Sequence, residues 1–400
     1  MNAVALAYAG VHQIFQLALA AQEMGELDGL YCSLVDGEGK WGRRLGRWAP
    51  TGTARPLGVE GIQVEKMTEF PWPLLANRIA KKMRPSRHSD HWRSNSWFDL
   101  SAARWLRTRE ARIFIGAESC ALHSLQVAEE KGMRRVLDCP GIPSAVLDAE
   151  AKRAGEAFGI PTAVSANSEV MQERKQRELA AAELVLCCSQ HQRDSLVRLN
   201  PGVKRSEVIP LWTNVDFWSE AAAWRQFSRP GEPLRALYAG AVSLRKGVPY
   251  LLQAVEPLTS AVKLTLAGAA APEMSQILPR FRQHELLPYL PKPKLRELFV
   301  QHDVLVMPTL GDSFGFVTLE AMAAGLPVIA SRNAGAPVPH DSWRVPPHDA
   351  EVIRERLLAY HGNRDLLRHD GEVAAAFASR FTPERYRARA GELFRELLAA

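Results

Sequence analysis

No Asp-x-Asp pair, no Cys-x-x-Cys pair and no long uncharged apolar run occurs in the 400 residues of this chain. Without Asp-x-Asp, the usual acidic bridge that holds a divalent cation against a diphosphate is missing. Without Cys-x-x-Cys, neither a zinc ribbon nor a dithiol redox centre is indicated. A membrane span needs roughly 18 consecutive apolar residues, and nothing here approaches that length. The apolar opening MNAVALAYAG has no positive residue ahead of it, and His12, Gln13, Gln16 and Gln22 break the stretch that follows. It reads as a strand and an amphipathic helix, not as a signal peptide. Cysteine is scarce and odd in number: Cys32, Cys120, Cys139, Cys187 and Cys188, the last two adjacent in the apolar run ELVLCCS. Buried free thiols in a reducing cytoplasm are the simplest reading, so a cytoplasmic location is expected. Repeats and low-complexity segments are also lacking.

What is present is a globular composition, 46% hydrophobic, in a chain long enough for two domains of ordinary size. The net charge of +6 is unevenly spread. Between Arg78 and Arg112 lie ten Lys/Arg against three acids, interleaved with Trp92, Trp97, Phe98 and Trp105. Such a segment favours phosphates, whether of nucleic acid, of lipid headgroups at the inner membrane face or of a diphosphate-linked acceptor. It is equally compatible with a solvated surface stretch. No nucleic-acid partner is expected.

Short apolar runs alternate with helical patterns along the first half: AVALAYA, QIFQLALAAQEMG, GLYCSLVD, ARIFIGA, LHSLQVAEEKG, RRVLDC, a helical stretch over 148–183, ELVLCCS and SEVIPL. A composition break at 212–233 ends in Arg-Pro-Gly-Glu-Pro and reads as a linker or hinge. The alternation then restarts with LRALYAGA, GVPYLLQAVEPL, VKLTLAGA, LRELFVQH, DVLVMPT, VTLEAMAAG and LPVIAS. The expected fold is α/β, two doubly wound Rossmann-like domains facing a central cleft. The divisions are 1–215, a linker over 216–233, 234–382, and a closing helix over 383–400 that packs back on the first domain. Ligands in such sheets bind beyond the carboxyl ends of the strands, which makes the cleft the default site.

Three motifs bear on chemistry. Gly37-Glu38-Gly39-Lys40-Trp41-Gly42 fits a dinucleotide fingerprint in spelling, but Gly and Pro break the sequence after it where a helix must begin. A dehydrogenase is rejected on that ground. His88 and His91 flank Asp90 at a ligand-like spacing with no second cluster nearby, so no metal site is assigned. In the second half, AGAVSLRKGVPYLLQAV sets Arg245 and Lys246 in a glycine-flanked turn between strand and helix, where two cations and free helix-start amides suit a diphosphate. Asp312 and Glu320 stand eight residues apart around Ser313-Phe314-Gly315, with Glu320 in a helix where its carboxylate could accept from a ribose diol. A capping Asp and a first-turn Glu would explain the same letters.

Together these residues resemble the donor-binding domain of the GT-B glycosyltransferases of retaining family 4. Gly240, Arg245, Lys246, Gly247, Asp312, Phe314, Gly315, Glu320, Ala321, Met322, Ala323, Gly325, Pro327 and Val328 match that family's pattern in order and spacing. The resemblance covers roughly 234–400. It implies that Arg245 and Lys246 hold the donor diphosphate, Glu320 the ribose hydroxyls and Asp312 the sugar hydroxyls. Ser313 and the amides near Phe314, Gly315, Phe316 and Val317 would assist, with Gly240 in the turn and Gly10 approaching the phosphates from the first domain. Asp312 stands where the family commonly has Glu, and Ser313 where it has Gly. Where the family often carries a His after the strand resembling RRVLDC, this chain has Asp138, Cys139 and Pro140. Asp138 and His12 are therefore the candidates beside the reacting carbon. The implied activity is sugar transfer from a nucleoside-diphosphate sugar to a saccharide or lipid-linked acceptor, retaining, metal-independent and without a cofactor, in polysaccharide or glycolipid synthesis. A nucleotide-sugar epimerase and a non-catalytic nucleotide-sugar or polyanion-binding protein stay open as alternatives.

Overall fold

The computed structural model describes residues 2–10, 13–33, 61–83, 92–161 and 169–400. His12, the glycine motif at 37–42, Arg84, Arg87, His88, Asp90 and His91 lie outside the described residues.

The first lobe is a parallel sheet of β1 (Val4–Tyr8), β2 (Leu27–Cys32), β3 (Met67–Glu69), β4 (Ile113–Ala117), β5 (Arg134–Cys139), β6 (Leu184–Cys187) and β7 (Ser206–Val208), ordered β3-β2-β1-β4-β5-β6-β7. Its helices are α1 (Ile14–Glu23), α2 (Trp72–Met83), α3 (Trp92–Arg107), α4 (Leu122–Glu130), α5 (Ser144–Phe158), α6 (Glu169–Ala181) and α7 (Gln190–Leu199). Central strands such as IFIGA are buried along their whole length. That is why they read as continuous apolar runs: helices cover both faces of a parallel sheet. The helical stretch expected over 148–183 is two helices, α5 and α6, with residues 162–168 between them outside the described residues.

The connector carries α8 (Val215–Ser219) and a single 3-10 turn at Ala222–Trp224. It is tied to the second lobe and is not a bare tether. The Arg225 guanidinium donates to the carbonyls of Ala324 and His302, and Ser228 donates from its amide and hydroxyl to the buried Asp303 carboxylate. The second sheet holds β8 (Leu234–Ala239), β9 (Val262–Ala267), β10 (Glu285–Leu287), β11 (Val304–Met307), β12 (Val328–Ser331) and β13 (Arg344–Val345). All pair parallel, in the order β10-β9-β8-β11-β12-β13. Around it lie α9 (Val248–Val255), α10 (Lys292–Gln301), α11 (Phe316–Ala323), α12 (Ala350–Gly362) and α13 (Arg364–Ala378).

The closing helix α14 (Pro383–Ala399) starts cleanly: Thr382 accepts from the Arg385 amide and Pro383 occupies the first turn. As expected, it returns to the first lobe. Gly391 lets it approach Met24 at the end of α1, and Arg387 bonds Gln16 at 2.9 Å and Glu23 at 2.7 Å. Tyr386 packs at a tilt on Trp212, just ahead of the connector, with centroids 4.6 Å apart. The buried Leu393, Phe394 and Leu397 are each worth about 1.5–3 kcal/mol of apolar transfer.

Candidate functional site

A cavity of about 690 Å³ opens between the lobes. From the first sheet come Gln13, Phe15 and Gln16 after β1, Pro140 after β5 and Cys188 after β6. From the second come Gly240, Ala241 and Lys246 after β8, then Asp312 to Val317 after β11. Strand order reverses between β1 and β4 in one sheet and between β8 and β11 in the other. The cavity thus sits over the switch point of the second sheet, where parallel sheets open a crevice, and faces the loops after β1, β5 and β6 of the first.

Local geometry explains the glycines. Gly247 caps α9 at φ 70°, and a Cβ there would fall 1.9 Å from the Pro308 carbonyl oxygen. Only glycine fits, and so the Arg245-Lys246 turn can fold tightly onto the strand end at Pro308. Gly315 caps α11 at φ 80° with no backbone atom among its nearest neighbours, so there the demand is conformational and not steric. It starts α11, whose first residues Phe316 and Val317 both line the cavity and whose first amides have no partner within the helix.

Lys246 Nζ and Asp312 Oδ2 form an ion pair across the cavity wall, with side chains mostly buried. Asp312 is fixed from behind, its amide donating to Asn333 at 3.0 Å. Ser313 is held through its carbonyl, which accepts from the Ser189 hydroxyl at 2.5 Å across the lobes. The Tyr238 hydroxyl donates to the Ala241 carbonyl at 2.7 Å and shapes the turn after β8. Burial pushes that hydroxyl far up, so it stays protonated as the donor. Burial also raises the Cys188 thiol well above its ordinary value, so this cavity cysteine is a neutral thiol, not a nucleophile.

Of the residues singled out from the sequence, Gly240, Lys246, Asp312, Ser313, Phe314, Gly315, Phe316 and Val317 line this cavity together. Four others stand behind it. Arg245 donates to the Gly311 carbonyl at 3.2 Å, bracing the loop that carries Asp312. Glu320 is buried on α11 and pairs with Lys292 at 3.2 Å. Burial raises its carboxyl above the ordinary range, against the opposing pull of Lys292. Asp138 is buried and accepts from Gln13 Nε2 at 3.0 Å, so Gln13 faces the cavity where Asp138 was expected. Gly10 lies in the loop that follows β1, with the Tyr8 ring 3.2 Å from where its Cβ would be. Lining residues not foreseen include Gln13, Gln16, Cys188, Trp212 and Tyr238. Tyr238 stands two residues before Gly240 in a strand, and nothing local distinguishes it from a core tyrosine. Among the described residues, no group of three or more His, Cys, Asp or Glu is placed to hold a metal ion.

The segment 78–112 divides. Much of its second half is built into the fold: α3 buries Phe98, Asp99, Ala102, Ala103 and Leu106. Arg107 pairs with Glu130 at 2.8 Å, Arg109 lies over the Trp105 ring, and Arg112 donates to the Leu398 carbonyl at 2.7 Å. Arg93 and Arg104 remain exposed.

Residues 233–363 match the family model described as glycosyl transferases group 1. The second lobe is a glycosyl transferases group 1 domain. The matched range holds Arg245, Lys246, Asp312 and Glu320 alike. Among curated relatives, the chain is 26% identical over 252 residues to a D-inositol 3-phosphate glycosyltransferase of Streptomyces bingchenggensis, covering 55% of this chain and 54% of the relative. It is 27% identical over 222 residues to an alpha-maltose-1-phosphate synthase of Mycolicibacterium smegmatis, covering 50% and 54%. The chain thus spans about half the length of these curated relatives. Its fold matches sucrose-phosphate synthase from Thermosynechococcus elongatus with a TM-score of 0.64, 18% identity and both chains covered in full. It also matches Anabaena HepE in complex with UDP, at 0.63 and 15%, covering 99% and 100%. The two-lobed architecture is therefore the GT-B fold expected from the sequence.

Proposed function

We propose that the chain is a retaining glycosyltransferase of family 4, moving a sugar from a nucleoside-diphosphate sugar to an acceptor hydroxyl, without a metal ion or cofactor. The observation that carries this reading is the Lys246–Asp312 pair in a cavity shared by both lobes, beside the glycine-started helix α11. Anions bind where cations and free amides converge, and such groups act hardest on charge that develops during reaction. An arriving diphosphate offers Lys246 a more highly charged partner. The carboxylate of Asp312 is then released to accept from sugar hydroxyls. Arg245, next to Lys246, adds charge behind the leaving group, and Glu320 takes the ribose diol. On the opposite wall Gln13, held by Asp138, and Gln16 present amides to the acceptor. The departing phosphate oxygen takes the acceptor's proton on the same face, which keeps the anomeric configuration.

The fold neighbours support a nucleotide-sugar donor, because HepE was solved with UDP and with UDP-glucose. Five buried free thiols suit a reducing cytoplasm. Trp72, Ile79, Trp97 and Leu100 are exposed on the packed helices α2 and α3, near Arg93 and Arg104, and this pairing of apolar and basic groups favours an anionic lipid surface. A lipid-linked acceptor of polysaccharide or glycolipid synthesis fits that placement. The test is incubation with UDP-, GDP- and ADP-sugars and a set of acceptors, following nucleoside diphosphate release and the product's anomeric configuration. Acceptor-dependent release with retention supports the proposal. Interconversion of the donor sugar without transfer would make the chain an epimerase, and binding without turnover a binding protein.

A further inference from the structure

Helix α5 belongs to the first lobe by its place in the chain, yet it lies against the second. Leu147 packs on Gly311, so closely that a Cβ on that glycine would sit 2.5 Å from Leu147 Cδ2. At the other end of the helix, Phe158 meets Tyr250 edge-on with centroids 5.0 Å apart, and Arg280 donates to the Phe158 carbonyl at 2.7 Å. Between these contacts, the Glu150 carboxylate bonds His348 Nε2, while His348 Nδ1 meets the Tyr250 hydroxyl at 2.9 Å. The His348 side chain is only 6% exposed. Its backbone has φ 61°, a left-handed conformation that a histidine adopts only when its surroundings impose it.

These contacts end at the donor side of the cavity. Tyr250 lies in the first turn of α9, three residues after Gly247, and Gly311 immediately precedes Asp312. A first-lobe helix thus touches both segments that deliver Lys246 and Asp312. We propose that Glu150 and His348 form an interlobe clasp that sets the distance between the donor and acceptor walls, which makes them positioning residues for transfer. The proposal rests on the glycosyltransferase reading for its kinetic consequence, but the clasp itself does not. Two reactants must be held within about 3–3.5 Å, so loosening the walls slows the chemical step while leaving each wall's own binding intact.

The test compares wild type with Glu150→Gln, His348→Gln and the double variant. Each single change is expected to lower kcat about ten-fold or more, with donor KM changed less than about two-fold. The double variant should fall no further than the worse single one, because the two residues act as a unit. Independently of turnover, cysteines introduced at the exposed Gln126 of α4 and Glu355 of α12 can be spin-labelled, since all five native thiols are buried. The interlobe distance distribution with UDP added should be narrow in wild type and broad in Glu150→Gln. Unchanged distances in folded Glu150→Gln would overturn the clasp, as would additive or absent effects on kcat. If the wild type fails to transfer sugar from any donor, the glycosyltransferase reading fails, and the distances alone decide whether the clasp exists.

Discussion

Lys246 and Asp312 form an ion pair at the cavity wall, and the proposed function gives each a role toward an incoming diphosphate. Replacing Lys246 with Ala leaves Asp312 as an uncompensated, largely buried carboxylate facing the incoming phosphates. One charge-assisted contact is worth roughly 1.5–3 kcal/mol, so nucleoside-diphosphate affinity should fall about ten- to hundred-fold in Lys246→Ala, and transfer should vanish when Arg245→Ala is added. Titration calorimetry and initial rates check both. At Glu320, burial raises the carboxyl, so it takes up its proton at a higher pH than an ordinary glutamate. Its loss of acceptor capacity should raise donor KM as the medium is acidified, setting in at a higher pH than an ordinary glutamate would give, and Glu320→Gln should remove that dependence.

A third residue shows how much lies out of sight of the sequence. Glu178 is buried and accepts from the amides of Ser119 and Ala121, beside Arg174, which also binds Asp99. Burial lifts its carboxyl to about 7 despite those partners. A folded-state value above the unfolded one means a stabilising contribution that is full below the unfolded value and lost as pH rises through about 7. Unfolding free energy should therefore fall by on the order of 1–3 kcal/mol from about pH 4.5 to pH 7, relative to Glu178→Gln. A parallel pH course in the two proteins would show that Glu178 does not titrate in this range.

At the scale of elements, the two glycines that start α9 and α11 separate sterics from conformation. Gly247→Ala drives a Cβ into the Pro308 carbonyl and should abolish folded expression. Gly315→Ala makes only ordinary van der Waals contacts, with Asp312 Oδ2 3.4 Å away as its nearest neighbour, and carries only the left-handed penalty of about 1–2 kcal/mol. It should fold, with a modestly lower Tm and a raised donor KM. Equal behaviour of the two variants would contradict this account of the turns. Both glycines were legible in the sequence because a glycine-flanked Arg-Lys and an acid–x7–acid pair are local patterns that specify strand–turn–helix units. Gln13, Trp212 and Tyr238 were not, since each reaches the cavity only through the way separate elements are packed. The same holds for Asp138, an acid at a strand end whose screening by Gln13 depends on the β1–α1 turn. The short strands β3 and β10 and helices α2 and α3 escaped too, because three-residue strands have no period and α3 mixes basic and aromatic residues on its exposed side.

For the whole molecule, the second lobe supplies the Lys246 and Asp312 wall of the cavity and the first closes the opposite wall. Connector, α5 and α14 all cross between them. The exposed Trp72, Ile79, Trp97 and Leu100 with Arg93 and Arg104 should bind vesicles containing anionic lipid in co-sedimentation, weakly with neutral lipid, and less as salt rises. Arg93→Glu with Arg104→Glu should remove that preference without altering donor affinity; retained binding would place the contact elsewhere. The central claim is that the cavity between the lobes takes a nucleoside diphosphate on Lys246. Calorimetric titration of UDP, GDP and ADP into wild type and Lys246→Ala tests it most directly. Saturable binding of at least one diphosphate to wild type is expected, weakened about ten-fold or more in the variant. Equal affinity in both proteins, or no binding of any diphosphate to the wild type, would contradict it.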